Sequence, residues 1–393
     1  MSVKTESSFA QLQSALEEGG IAACLEQLVE QLQSQDKLQE LFEARKMQVR
    51  LQLGLPLLTN ELPPDLSDEQ RREVENKLLD HYQEVYRDVG LLMFRSGQLG
   101  QGWMLLQAAG EEEAARAELE SMEVQEEVMD EFIDVALRQG VAPALGFAAV
   151  LEHYGTCNAI TTYDQTLYNR PLADKQAAAA MLVDHLHEEL TATIKADIAQ
   201  QKGSEPAEET LRELVADRDW LFTDGGYHID TTHLASTIRF ARCLEDEATL
   251  RKAIDLTEYG RRLDSPFQHE GEEPFKDIYN SHALLFHAML GEQVSEALQY
   301  FGSRAEEVDI AAEGSAAAET YIALLHRVGK NKEAALATVK LIPPGIYTQG
   351  LAPTLFELCE ETHDFQPLIE ACAQRDDLLG YAAGLIQAEL NKK

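Results

Sequence analysis

Apolar residues recur at helical spacing from the start of the chain. Leu12 and Leu16 are followed by Ile21, Cys24, Leu25, Leu28 and Leu32, and then by Leu38, Leu41, Phe42 and Val49, one stripe for each of three helices. The Gly19-Gly20 pair predicts a break between the first and second, and Gly54 with Pro56 closes the third. Residues 57–68, LLTNELPPDLSD, read as a loop. Ser67, with Gln70 three positions on, carries a capping-box signature for a long helix ending near Ser96. A further helix is expected from about Asp174, and QKGSEPAEET (201–210) and LDSPFQHEGEEPF (263–275) stand out as linkers. No alternating run of β-branched residues bounded by turn dipeptides occurs, so the fold class is all-α.

A second pattern overlies the first: a helix ends at a glycine, and a small or apolar residue follows about five positions later. Gly97 precedes Gly102, Gly140 precedes Leu145, Gly291 precedes Ala297, and Gly329 precedes Ala334. The glycine takes the left-handed turn conformation, and the small residue admits the second helix against the first. The stretch 314–344 shows it best: helix, Gly329 turn, Ala334 contact, then the Pro343-Pro344 stop. These pairs resemble tetratricopeptide repeats over about half the chain, with Thr338 where that family has a large aromatic. The resemblance implies stacked antiparallel helix pairs forming a curved α-solenoid with a concave face. It predicts one continuous array over 1–393. Within it, 1–60 is a helix hairpin region, 61–150 holds helix pairs, 151–290 is a central region of different character, and 291–393 holds repeat-like pairs. The last pair is expected from Ala352 to Arg375, and a closing helix from Asp377 to Leu390.

Charge narrows the partners. Sixty-nine carboxylates face 33 Lys and Arg, for a net charge of -36, a field that repels nucleic-acid phosphates and anionic membranes and favours basic partners. The start, MSVKTESSFAQ, lacks the basic and apolar regions of a signal peptide, and no apolar window reaches about 18 residues. The expectation is a soluble, cytoplasmic protein. Its five scattered cysteines suggest neither a disulfide framework nor a cysteine zinc cluster.

Three stretches depart from plain repeat. In EHYGTCNAITTYDQ (152–165), Gly155 ends a helix and Thr156 caps the next. Cys157 then lies in a first turn, where the helix dipole favours a thiolate nucleophile; the alternative is a small packed residue. In DHLHEEL (184–190), His185 and Glu189 share a face, as do Asp184 and His187, a spacing suited either to a metal or to ordinary pairs on a solvated helix. WLFTDGGYHIDTTHLASTIRFAR (220–242) is the richest. Asp230 or Thr231 caps a helix whose buried stripe is Leu234, Ile238 and Ala241, while His228, Asp230 and His233 have an H-x-D-x-x-H spacing. Those three are candidate metal ligands or acid–base groups, against the alternative of a cap, a turn residue and a packed histidine. Arg239 and Arg242 follow, the latter with Asp246 at i+4 as a local ion pair.

Two functions fit. The first is a non-catalytic, tetratricopeptide-like scaffold that binds a peptide or protein segment, favoured by the absence of a P-loop, a GxSxG elbow or a Rossmann glycine run. It predicts a groove lined by Asn, Tyr and Arg, with dispersed histidines. His153, Asn158, Tyr227, Arg239, Arg242, Tyr279 and His282 are its candidate ligand-binding residues, on stretches expected to line one concavity. The alternative is a hydrolase or lyase in which His228, Asp230 and His233 hold a divalent metal or shuttle protons, Cys157 or His153 assists, and Arg239 orients an anionic substrate.

Overall fold

Ser7 opens the first helix by accepting a hydrogen bond from the Ala10 amide, and the computed structural model describes the chain from there, over residues 7–391. The reading of the first residues as lacking a signal peptide falls largely on positions 1–6, outside the described residues. The described residues are almost wholly helical. They contain no strand, and a single isolated bridge joins Glu270 and Asp277. None of the described helices is long and apolar enough to cross a membrane. The chain divides into two compact units, Met1–Gly155 and Thr156–Lys393.

In the first unit, α1 (Ser8–Ser34) is interrupted at Gly20 (φ 75°, ψ -164°), at the predicted break. α2 (Leu38–Gln52) and α3 (Asp68–Arg95) follow, the latter opened by the Ser67–Gln70 capping box. They share a core of Leu38, Leu41, Val49, Leu78, Val85 and Val89. Between them, buried Arg50 holds the loop by donating from Nε to the Pro56 carbonyl (2.5 Å) and from Nη2 to the Glu61 carbonyl (2.9 Å). Left-handed Gly97 (φ 82°) turns the chain into α4 (Leu99–Ala109). A Cβ on Gly102 would sit 2.5 Å from Phe94 Cδ2 and 2.8 Å from the Gly90 carbonyl, so only glycine lets α4 approach α3 this closely.

α5 (Glu112–Ser121) and α6 (Met129–Ile133) come next, and α6 runs into a π-helical turn, Asp134–Arg138. After Gly140 the close contact is made by Gly146, whose Cβ would meet Leu137 at 2.7 Å, and not by Leu145, which is only half-buried. The pair therefore closes one residue later than the spacing predicts. α7 (Pro143–Thr166) carries a non-helical Gly155 (φ 77°, ψ 175°), where the first unit ends.

The second unit is built on α8 (Leu172–Lys202). Its Ala178, Leu182, Leu186, Leu190, Ile194 and Ile198 are buried at a spacing of four, each large one contributing about 1.5–3 kcal/mol on burial. After the expected linker come α9 (Leu211–Ala216), α10 (Thr231–Phe240) and α11 (Glu247–Gly260), all of which pack on α8 or one another. Leu234, Ile238 and Ala241 are fully buried, as their stripe predicts. Segment 263–275 is no free linker: Leu263 and Phe275 are buried at its two ends.

Helix pairs then follow in order. α12 (Ile278–Met289) packs on α13 (Val294–Glu307), a short α14 (Ile310–Glu313) intervenes, and α15 (Ala316–Arg327) packs on α16 (Asn331–Leu341) across left-handed Gly329. Ala297 and Ala334 are fully buried at the expected contacts. Buried Glu319 on α15 accepts from the amides of Gln349 (2.7 Å) and Leu351 (2.8 Å), which fixes the loop after the double proline. α17 (Leu355–Thr362), α18 (Gln366–Gln374) and α19 (Leu378–Leu390) end the described chain near the predicted boundaries. α19 leaves Leu378, Leu379 and Ile386 exposed.

Candidate functional site

Hydrogen-bonding roles decide what the central stretch does. The His228 amide donates to the Tyr259 hydroxyl (2.8 Å), its Nδ1 lies 3.1 Å from the same hydroxyl, and its Nε2 lies 3.2 Å from Asp197 Oδ2. An ionised carboxylate only accepts, so Nε2 donates to Asp197, and in a neutral imidazole Nδ1 then accepts from Tyr259. Carboxylate, imidazole and phenol thus stand in the order of a proton relay. Its phenolic end is sealed, however: Tyr259 is fully buried, and burial pushes its hydroxyl up to about 12. With the His228 side chain only 7% exposed, the relay pins the 220–230 turn between α8 and α11.

Asp230 is the N-cap of α10. Its Oδ1 accepts from the Thr232 amide (2.8 Å), the Thr232 hydroxyl (2.6 Å) and the His233 amide (3.1 Å), bonds that hold its carboxyl below the ordinary range. The cap turns Asp230 toward its own helix while His228 faces Asp197 and Tyr259. The three side chains of the H-x-D-x-x-H spacing are therefore not grouped as ligands. Among the described residues, no three His, Cys, Asp or Glu side chains are placed to hold a metal ion.

The other candidates are spread over different environments. Cys157 and Asn158 follow Gly155 on α7, Asn158 exposed and Cys157 open to solvent, and His153 is exposed on the stretch before it. The Thr156 hydroxyl lies 3.1 Å from His185 Nε2, and among the described residues no base stands within hydrogen-bond reach of the Cys157 thiol. Asp184 and His187 do not pair with each other: Asp184 meets Lys252 (2.7 Å) and His187 meets Asp255 (3.4 Å). Tyr227 is exposed and packs on Phe267. Tyr279 is buried with its hydroxyl unpartnered and its ring pressed on Gly260. Arg239 pairs with Asp164 at 2.9 Å.

Arg242 departs from expectation. α10 passes into a short turn at Ala241–Cys243 and Leu244 is extended (φ -70°, ψ 150°), so positions 242 and 246 do not share a helix face. Asp246 instead caps α11. The Arg242 guanidinium lies 3.8 Å from the centre of the Phe275 ring, and its Nε donates to His282 Nε2 (2.8 Å). His282 is fully buried against Phe275, and its Nδ1 lies 2.6 Å from the Ile278 carbonyl. The carbonyl accepts and the arginine donates, so His282 is the neutral Nδ1–H form, which burial enforces by pushing its pKa well below 6.5. Both ring nitrogens are occupied, which leaves no lone pair for base catalysis.

The second unit also carries an open groove of about 600 Å³, lined by Arg212, Val215, Ala216, Glu258, Arg261, Arg262 and Asn280. α9 presents the first three, the end of α11 presents the next, and Arg261 and Arg262 follow directly after it. Arg262 is fixed: it donates to the Val215 carbonyl and to Asp219 (2.6 Å) and lies 4.4 Å from the Phe222 ring. Arg212 and Arg261 are more open, 59% and 42% exposed, and share Glu258 at 3.4 and 3.9 Å. None of the residues picked from the sequence lines this groove. The one sequence signal for it is the Arg261-Arg262 pair in a chain so poor in cations.

No family model, no curated protein and no solved structure matches the chain.

Proposed function

We propose that the protein is a non-catalytic, tetratricopeptide-like helical scaffold that binds a peptide or protein segment, and that the groove at α9, α11 and the start of α12 takes that segment. The observation that carries the proposal is the lining itself: three arginines and an asparagine against a single carboxylate, Glu258, around an open groove in a molecule of net charge -36. The acidic surface favours basic partners in general. Inside the groove the arginine forks select carboxylates, either acidic side chains or a chain terminus. The dispersal of His228, His233 and His282 and the sealing of Tyr259 support binding over chemistry. Stacking of successive pairs from α12 to α18 supports a curved array.

An array of acidic, neutral and basic peptides tests the proposal, probed with the wild type and with an Arg212→Glu, Arg261→Glu variant of unchanged helicity. A charge-assisted hydrogen bond contributes about 1.5–3 kcal/mol, so the variant should lose at least about tenfold in retention on the acidic peptides that hold the wild type. Equal retention of both proteins, or no peptide retained by the wild type, would sink the groove reading.

A further inference from the structure

Arg50, buried, and Arg242, half-buried, are satisfied to very different degrees. Arg50 spends both Nε and Nη2 on loop carbonyls. Arg242 spends only Nε, and it spends it on a neutral imidazole. Among the described residues no carboxylate lies within 4.0 Å of Arg242, and its Nη1 and Nη2 make no hydrogen bond. Neither Nη is among the atoms sealed from solvent without a partner. The side chain keeps a partial exposure, so that end of the fork reaches the surface. Phe275 and His282 hold the plane of the guanidinium, one by its ring face and the other through Nε.

The charge also lacks compensation from its surroundings. Burial brings the guanidinium down to about 9, Arg239 adds a like charge nearby, and the field of Glu272 reaches it only from beyond ion-pair distance. A cation–π contact offsets part of the loss of hydration, but a charge that keeps only its Nη end in water and has no hydrogen-bonded counter-ion remains costly. A fixed, planar pair of N–H donors facing outward from an apolar seat is the arrangement that accepts an oxyanion side-on.

We propose that Arg242, oriented by Phe275 and His282, is a binding site for a small oxyanion, a carboxylate or phosphate group held by its two Nη atoms. This site is separate from the arginine groove and does not depend on the groove's role. Its counter-ion comes from solution, and it ties α12 to the end of α10 more firmly when filled.

The test is thermal unfolding of the full chain titrated with sodium phosphate and, separately, with sodium acetate, each against sodium chloride at equal ionic strength. The wild type should show a saturable rise in Tm of several degrees with one or both oxyanions and none with chloride. Phosphate alone or acetate alone identifies which group the site takes. Arg242→Met keeps the alkyl packing on Phe275 and removes the charge, and should lose the oxyanion response. Arg212→Glu, Arg261→Glu should keep it, which separates this site from the groove. If Arg242→Met does not fold, the Nε–H resonance of Arg242 in the wild type provides the second readout and should shift with the same midpoint as Tm. The proposal is overturned by an equal response in wild type and Arg242→Met, or by a wild type indifferent to both oxyanions. A wild type indifferent to both, with Glu272→Gln destabilised, would assign the counter-ion to Glu272 and overturn it likewise.

Discussion

His282 shows how one residue can be visible in a sequence and still have its role hidden. A histidine among aromatics reads as a ligand-binding group, but its role depends on which atoms meet its two nitrogens, and those come from a backbone carbonyl and from an arginine 40 positions away. The same holds for His228, whose partners lie 31 residues to either side. The Asp230 cap, by contrast, is legible because its partners are two and three residues on. His282 also gives stability a pH dependence. The folded protein holds it neutral, with a pKa well below 6.5, through burial and the nearby Arg242 charge, whereas the unfolded chain takes up a proton below about 6.5. Its contribution is therefore complete above that pH and declines as pH falls beneath it, by at most about 1.4 kcal/mol per pH unit. Urea midpoints measured between pH 7.5 and 5 should fall more steeply for the wild type than for His282→Gln, which keeps a polar group there without a titration. Parallel slopes would remove His282 as the cause.

At the scale of elements the sequence is a better guide, because helix boundaries are set locally. Ser67 and Gln70 open α3, Gly20 interrupts α1, Gly329 separates α15 from α16, and Asp377 caps α19, each within a few residues of its signal. Segment 263–275 is misleading because its polar composition conceals Phe275, whose burial depends on α12 and α13. The Arg212–Arg261 groove is likewise hidden, since α9 and the end of α11 lie far apart in sequence and meet only through packing. The close approach of α3 and α4 carries its own prediction. Gly102→Ala places a methyl group against Phe94 and the Gly90 carbonyl, and the overpacking should cost about 1–3 kcal/mol. Chemical denaturation checks this, and an unchanged midpoint would mean that the two helices separate freely.

For the whole molecule, charge matters most. With a net charge of -36, the folded state works against its own repulsion, over a range of about 30 Å at 0.01 M salt and about 8 Å at 0.15 M. Tm should therefore rise by a few degrees when NaCl is raised between those limits, and a scan at several concentrations would show it. A flat or falling curve would mean that local ion pairs such as Arg239–Asp164 and Arg95–Glu118 outweigh the general repulsion. The turns and the close contacts have a further consequence, for divergence. Helix surfaces tolerate exchange of one polar residue for another, whereas left-handed Gly97 and Gly329 and the crowded Gly102 each disfavour any side chain. Exchanges among the exposed polar residues should therefore leave the fold intact, whereas a side chain at Gly97, Gly102 or Gly329 should strain a turn or a close contact.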